Sequence, residues 1–267
     1  MGLLLSVGLP STYASAAVAF DSAASNYCGS IYSPQPCPST PPYTVTWSHT
    51  IGGGANRILI VGVSGETPVS GIAYGSSSLA LLAAQNQGSI RAEAWYLLNP
   101  PTGTATITVT FSGAPPDAIG GSVSYFNVAS VGSYNSAGGG GSDPITLTVN
   151  ANSGDLVIGV LAMSTGSLPS PGLGQTERWN VLANSGTPDG AGSDKPASSP
   201  VTMTWTTSPY FGWALIGVDL QPPAAPVGGE MIPINQLQVL MPWLVLTVTL
   251  GIVSIATLIR GRRTRNN

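Results

Sequence analysis

The feature that most constrains this chain is an uncharged apolar stretch near its C-terminus, Val239–Ile259. Twelve of its twenty-one residues are Leu, Ile or Val. A helix of that length rises about 30 Å, which is the thickness of a bilayer's hydrocarbon core. A buried core helix is the alternative, but such helices rarely run this far without a polar face. We therefore predict a transmembrane helix over residues 237–259.

The residues on either side of this stretch predict its orientation. Trp243 is expected at the depth of the membrane interface. The segment 221–236 is rich in Pro and Gly and is expected to form an extended stalk. The tail, residues 260–267, is expected in the cytoplasm because basic residues flank spans on that side. Its basic residues are Arg260, Arg262, Arg263 and Arg265.

The N-terminus has the pattern of an export signal. Residues 2–10 form a short apolar run, and Ala14-Ser15-Ala16 supplies small residues suited to cleavage. The usual positive charges before the apolar run are missing. We predict a signal peptide over residues 1–16, and hence a single-pass protein of the cell membrane whose body is extracellular.

Composition narrows the class of protein. Charged residues make up 7% of the chain, against about a quarter in typical domains, and there are 34 Gly and 23 Pro. This favours a β-rich exported protein with many turns over a helical bundle or a Rossmann-type enzyme. Acids outnumber bases before the span, which argues against nucleic acid as a partner.

The two cysteines, Cys28 and Cys37, are close in sequence and predict a disulfide in an exported chain. On a chain-entropy argument such a short loop adds roughly 2.5 kcal/mol. A metal site is the alternative, but no His or third Cys lies near. The surrounding segment, residues 17–42, is rich in Pro and Ser. It predicts an irregular lead-in held by the disulfide, with Val18–Phe20 as a candidate strand.

From residue 43 to residue 220 the pattern predicts an all-β domain. Large residues alternate with Thr and Ser over Tyr43–Ile51, and Ile58–Val63 is a continuous apolar run typical of a central strand. Short strands separated by Gly, Pro and Asn predict an antiparallel β-sandwich that is jelly-roll-like. The further predicted strands are Gly71–Tyr74, Ser78–Ala84, Ser89–Leu98, Thr104–Phe111, Ala118–Phe126, Ile145–Val149, Leu156–Met163, Thr176–Val181, Val201–Trp205 and Trp213–Leu220.

A weak internal echo leaves a second architecture open. Thr50–Val63 resembles Thr148–Val160, and Trp213–Val218 repeats the second part of that pattern. One reading is a single structural role used repeatedly, and another is shared composition. Two small sandwiches divided at Gly138–Gly141 are the alternative to one large sandwich.

Four segments near the end of this region carry a recognisable pattern: Gly172–Trp179, Gly190–Ala197, Val201–Thr206 and Trp213–Val218. Together with Asn56–Val63 and Ala94–Leu97, they resemble an uncharacterised secreted jelly-roll module of bacterial and archaeal cell-surface proteins, over about residues 43–221. The resemblance implies secretion and a jelly-roll fold. It implies no activity, because the module brings no set of catalytic residues.

Residues with catalytic potential are sparse. His49 is the single histidine, and its place in an alternating strand puts it on the apolar face. The chain has no Gly-x-Ser-x-Gly elbow and no phosphate-binding loop. Its acids are scattered, without the strand-spaced pair that suits a glycosidase. We therefore predict that the protein is not an enzyme, and a surface hydrolase is the least supported reading.

Two segments offer candidate ligand sites. Arg91, Glu93 and Trp95 share one strand face, where they suit a sugar ring or, alternatively, a structural ion pair beside a core tryptophan. The segment Asp189–Asp194 is a weak candidate for a Ca²⁺ loop, because it lacks the acidic density of known loops. No other cofactor is expected.

These observations lead to a functional hypothesis. The chain is expected to be a non-catalytic cell-envelope protein that displays a β-sandwich on a membrane anchor, with a structural or adhesive role. A carbohydrate-binding surface module is the alternative. The expected partners are the lipid bilayer, other envelope proteins and surface glycans.

Overall fold

A computed structural model describes residues 16–29, 35–141, 143–164, 166–183, 188–207 and 212–224. These residues belong to one compact unit, Ala14–Ala225. The expected membrane helix, its flanking Trp243 and arginines, nearly all of the signal peptide and most of the stalk lie outside the described residues. Within the described ranges, no helix is long and apolar enough to span a bilayer.

The described part of the chain is all-β, and its sheets are antiparallel, as the sequence predicts. The strands of the first half are β1 Ala19–Cys28, β2 Thr44–Ile51, β3 Ile58–Gly65, β4 Val69–Tyr74, β5 Ser77–Ser78, β6 Ala80–Gln87, β7 Ile90–Leu98, β8 Gly103–Phe111 and β9 Ala118–Phe126. Those of the second half are β10 Ser130–Gly139, β11 Ile145–Val149, β12 Leu156–Ser164, β13 Ser170–Pro171, β14 Thr176–Leu182, β15 Asp189–Pro196, β16 Val201–Thr206 and β17 Gly212–Gln221.

The hydropathy of the sequence explains why some strands are buried on one face and others on both. In β2, Val45, Trp47, His49 and Ile51 are buried while the Thr and Ser between them face outward. By contrast, every residue of β3 is buried, as expected for a central strand covered on both faces. Both predictions from the sequence are therefore confirmed.

Strand β1 corrects the expectation of an irregular lead-in. Ala19–Cys28 pairs along its length with β9, from Ala19 opposite Phe126 to Cys28 opposite Ala118. Its Ala, Ser and Asn side chains give no clear alternation in hydropathy, so the pattern did not reveal the strand. The predicted disulfide is present, since Cys28 at the end of β1 is bonded to Cys37.

Each half of the chain forms two facing sheets. In the first half, inner sheet 1 has the order β1-β9-β3-β7-β6 and outer sheet 1 the order β2-β8-β4-β5. Val61 and Trp95 from the inner sheet meet Trp47 and Ile107 from the outer one in a shared core. Successive strands go largely to alternate sheets, so the core is built from residues far apart in sequence.

The second half repeats this arrangement. Inner sheet 2 has the order β10-β17-β12-β15-β14 and outer sheet 2 the order β11-β16-β13. Leu161 and Leu215 of the inner sheet pack with Leu147 and Trp205 of the outer one. Except for the two-residue strand β5, which has no counterpart, the order matches that of the first half, so the chain contains one topology twice.

The strand register shows that the two halves also match residue by residue. Ile51 pairs with Gly103 in the first half, and Val149 pairs with Val201 in the second, with the same separation along the chain. The sequence echo between Thr50–Val63 and Thr148–Val160 thus falls on equivalent strands. The halves meet at residues 127–129, between β9 and β10. Gly138–Gly141, where the alternative placed a division, instead includes the last residues of β10.

The two inner sheets pack face to face. Strand β3 contacts β12, β1 contacts β14, and β6 contacts β10. Strand β1 of the first half is equivalent to β10 of the second, and β6 is equivalent to β14. The β1–β14 contact and the β10–β6 contact are therefore equivalent, with the two halves exchanged. The halves are therefore related by an approximate two-fold axis that passes near β3 and β12.

A tryptophan fills the space between the inner sheets. Trp179 on β14 is 5% exposed and lies over three glycines, Gly62, Gly121 and Gly192. A Cβ atom built on Gly121 or Gly192 would stand 2.2 Å from the indole, and one on Gly62 would stand 2.8 Å away. These positions must be glycine because the indole occupies the room that any side chain would need.

The Gly121→Ala substitution tests this packing. The added methyl group forces the sheets or the indole to move, and we expect a loss of roughly 1–3 kcal/mol in the free energy of unfolding, measured by urea denaturation. Gly71→Ala in β4 is the matched control, because a Cβ there meets no atom within 4 Å. Equal unfolding midpoints for the two variants would contradict the packing.

Candidate functional site

The candidate sugar-binding residues on β7 form a closed ion-pair cluster. Glu93 is 1% exposed and accepts hydrogen bonds from Arg91 Nε at 2.5 Å, Trp95 Nε1 at 2.8 Å and the backbone N of Val69 at 3.0 Å. Arg91 also donates to Asn86 Oδ1 at 2.8 Å. Such charge-assisted bonds compensate for burying the Glu93 carboxylate.

This arrangement does not offer the open face that sugar stacking requires. The three residues share one face, as the strand period predicts, but Trp95 is 8% exposed and packs in the core of the first half. The structural alternative describes the geometry better, since Glu93 links β7 to the start of β4 through Val69.

His49 lies in a buried network of serines. Its Nε2 is 3.1 Å from the Oγ atoms of Ser22 and Ser124, and its Nδ1 is 2.9 Å from Ser122 Oγ. Ser122 also accepts a hydrogen bond from Trp47 Nε1 at 2.8 Å. The network joins β1, β2 and β9, which belong to two facing sheets.

The hydrogen-bond pattern of this network differs from that of a hydrolytic triad. Asp21 accepts from Ser124 Oγ at 2.7 Å and from the backbone N of Gly52 at 3.0 Å, so the carboxylate binds the serine rather than the imidazole. Burial lowers the pKa of His49 to about 4, and the charge of Asp21 opposes that shift. A neutral, 2% exposed ring serves to hold strands together.

A second ion pair lies at the interface between the two halves. Asp194 of β15 accepts from Arg178 Nε at 2.5 Å and Nη2 at 3.1 Å, and from Tyr125 Oη of β9 at 2.6 Å. The guanidinium of Arg178 lies 3.9 Å from the ring centroid of Phe20 in β1. Burial, followed by the charge of Asp194, raises the pKa of Tyr125. Tyr125 and Phe20 belong to the first half, so this cluster crosses the interface.

The same cluster corrects the weak Ca²⁺ prediction. Asp189–Asp194 is not a loop, because it forms most of the buried strand β15. Asp189 accepts from the backbone N of Gly166 at 2.9 Å, and Asp194 is committed to Arg178. The Gly-rich composition suggested a turn, whereas the glycines are there to make room for Trp179 and other neighbours.

The sequence did not reveal an acidic cavity at one end of the second half. A cavity of about 450 Å³ is lined by residues that include Asp219 and the turn Asn150–Asn152. Burial, followed by the charge of Asp155, raises the pKa of Asp219 to about 6. Asp155 and Asp219 are far apart in sequence, so no motif connects them. In the residues that the structure describes, no group of three or more His, Cys, Asp or Glu is placed to hold a metal ion.

Comparison with protein-family models, with curated proteins and with solved structures finds no match for this chain.

The protonation of His49 is a direct test of the buried serine network. We expect its ring resonances in NMR spectra to stay constant from pH 8 to pH 5 and to shift around pH 4. In the unfolded chain the ring takes up a proton near pH 6.5, so His49 lowers stability progressively as pH falls from about 6.5 to about 4. The urea-unfolded chain is the control. A midpoint near 6.5 in the folded protein would contradict the burial.

Removing the carboxylate of Asp194 should lower the free energy of unfolding substantially. Asp194→Ala leaves Arg178 and Tyr125 without their partner, and we expect a loss of roughly 3–5 kcal/mol in the free energy of unfolding. The control is Glu177→Ala on the neighbouring strand, where an exposed carboxylate bonds to Asn180 at 2.8 Å and a change within about 1 kcal/mol is expected. Losses of similar size in urea denaturation would show that the buried Asp194 cluster stabilises the fold no more than an exposed contact does.

Proposed function

We propose that this chain is a non-catalytic protein of the cell envelope, with a structural or adhesive role. Its two jelly-roll-like sandwiches stand outside the cell on a helix over residues 237–259, and the Arg-rich tail lies in the cytoplasm. This proposal agrees with the resemblance to secreted surface modules. The alternation of strands between facing sheets supports the jelly-roll class.

The observation that carries the proposal is the Cys28–Cys37 disulfide. Both cysteines are bonded, and disulfides persist in oxidising compartments outside the cytosol. The bond holds the end of β1, which is an edge strand of inner sheet 1. Together with the export pattern of residues 1–16, it favours an extracellular body.

The way the reactive side chains are used supports a role without catalysis. His49, Glu93 and Asp194 are each less than 3% exposed and make several internal hydrogen bonds. Groups that hold strands together in this way are not available to a substrate.

The outer sheets favour contact with other envelope components. Their outward faces carry Thr side chains on neighbouring paired strands, and two equivalent Thr pairs are hydrogen-bonded, Thr50 with Thr104 and Thr148 with Thr202. These uncharged hydroxyl faces suit other envelope proteins or surface glycans as partners, because hydroxyl groups offer hydrogen bonds at a lower desolvation cost than charged groups do.

Protease treatment of intact cells tests the proposed topology. We expect proteinase K to release peptides from residues 16–224 and to leave residues 260–267 protected until the cells are lysed. Without reduction, the peptides that hold Cys28 and Cys37 should be recovered as one linked mass. Digestion of the tail alone would contradict the orientation.

A chain that ends at residue 236 is the matched control for anchoring. Without the apolar stretch, it should be recovered from the medium with its disulfide intact. Retention of this shortened chain in the membrane fraction would show that the anchor lies elsewhere.

A further inference from the structure

Two acidic side chains meet at the end of the second half. Asp219 on β17 is 1% exposed, and Asp155, which directly precedes β12, is 8% exposed. The two carboxyl groups are in hydrogen-bond contact, and Gln221 supports Asp219 from the same strand. The Oδ1 atom of Asp219 has no hydrogen-bond partner among the described residues. A buried carboxylate oxygen without a partner is costly, and it points to a missing ligand.

The equivalent turn of the first half carries a cation instead of acids. Arg57 directly precedes β3, just as Asp155 precedes β12, and its guanidinium donates to the carbonyl oxygens of Gly54 at 2.7 Å and Pro100 at 3.0 Å. Ser124 of β9 is equivalent to Asp219 of β17. The first residue of β3, Ile58, pairs with the residue after Ser124, and the first residue of β12, Leu156, pairs with the residue after Asp219. One half thus has a cation at this turn, whereas the other has two acids.

No basic side chain of the second half takes over that role. The single lysine, Lys195, lies on β15 and donates its Nζ to the carbonyl oxygen of Thr202 at 3.0 Å. Arg178 is held by Asp194. Neither residue is among the groups that influence the Asp219 carboxyl. The pair of acids therefore depends on a proton or on a cation from solution.

The cavity beside these acids is rich in oxygen atoms. Its lining residues include Asp219, Asn150, Asn152 and Gln221, all of which carry oxygen atoms in their side chains, and Asp155 adjoins it through its contact with Asp219. The backbone N of Asn152 donates to Asp155 Oδ2 at 2.8 Å, which fixes the turn against the acid. Ser133 donates to the carbonyl oxygen of Asn150 and holds the same turn from β10.

We propose that this cavity binds Ca²⁺, with Asp219 of its lining and the adjoining Asp155 as the charged ligands and amide oxygens of the turn beside them. Ca²⁺ takes six to eight oxygen ligands in flexible geometry and tolerates water among them, which fits an open cavity with only two carboxylates. Mg²⁺ fits less well, because it requires near-octahedral geometry. The proposal does not depend on the proposed envelope role.

Calcium binding would lock the end of the last described strand. The bound ion connects β17, through Asp219, to the turn between β11 and β12. Gln221 closes β17 and is followed by the Pro-rich segment. The site therefore stabilises the junction from which the chain leaves the second half.

The test is calorimetric titration of the full chain with Ca²⁺, together with thermal melting after removal of metal by a chelator. We expect one binding event in the micromolar to millimolar range and a rise in Tm of roughly 5–10 °C when Ca²⁺ is 100-fold above its Kd. Asp219→Asn and Asp155→Asn should abolish both signals. Glu66→Gln, which changes an exposed acid, is the control and should keep both.

The melting temperature of the Asn variants also distinguishes Ca²⁺ binding from a purely structural role of the two acids. Without Ca²⁺, Asp219→Asn should melt at or above the temperature of the unchanged chain, because it removes repulsion between two carboxylates. With Ca²⁺ the order should reverse. Binding by both Asn variants, or the absence of binding by the unchanged chain, overturns the proposal.

Discussion

The packing of the two inner sheets against each other is the constraint on which the rest of the structure depends. Each inner sheet is covered by an outer sheet on one face, so it needs a second cover for the other. Residues such as Ile60 and Ile158 on the central strands lie in that shared layer. Because the topology occurs twice, each half supplies the cover for its equivalent, and neither can bury its inner sheet alone.

The polar residues of the interior follow from this arrangement. The Asp194–Arg178 pair and Tyr125 lie where β9, β14 and β15 approach one another. The buried charge is paired within the second half, and the hydrogen bond from Tyr125 connects it to the first half. The two halves have diverged elsewhere. His49 and its serines hold the turn end of the first half, whereas the equivalent region of the second half carries Asp155 and Asp219. The fold therefore keeps the same strands while the polar residues change role.

Much of the strand pattern was predictable from the sequence, because β2 alternates and β3 is continuously apolar. The Cys28–Cys37 bond was predictable from compartment and spacing. The strand β1 was not, since its small residues are stabilised by pairing with β9 rather than by their own pattern. The sequence of strand β15 predicts a loop instead, because its glycines, which accommodate Trp179, have the composition of a turn. The acidic cavity depends on residues brought together only by the tertiary fold.

Hydrogen exchange of the backbone amides of β3 and β12, followed by mass spectrometry in rising urea, tests most directly whether the halves depend on each other. If the layer between the inner sheets stabilises both halves, the amides of β3 and β12 should exchange through one common unfolding reaction. Their free energies of opening, and the dependence of these on urea, should then be equal. If one strand exchanges freely while the other stays protected, the halves are independent domains and the account is contradicted.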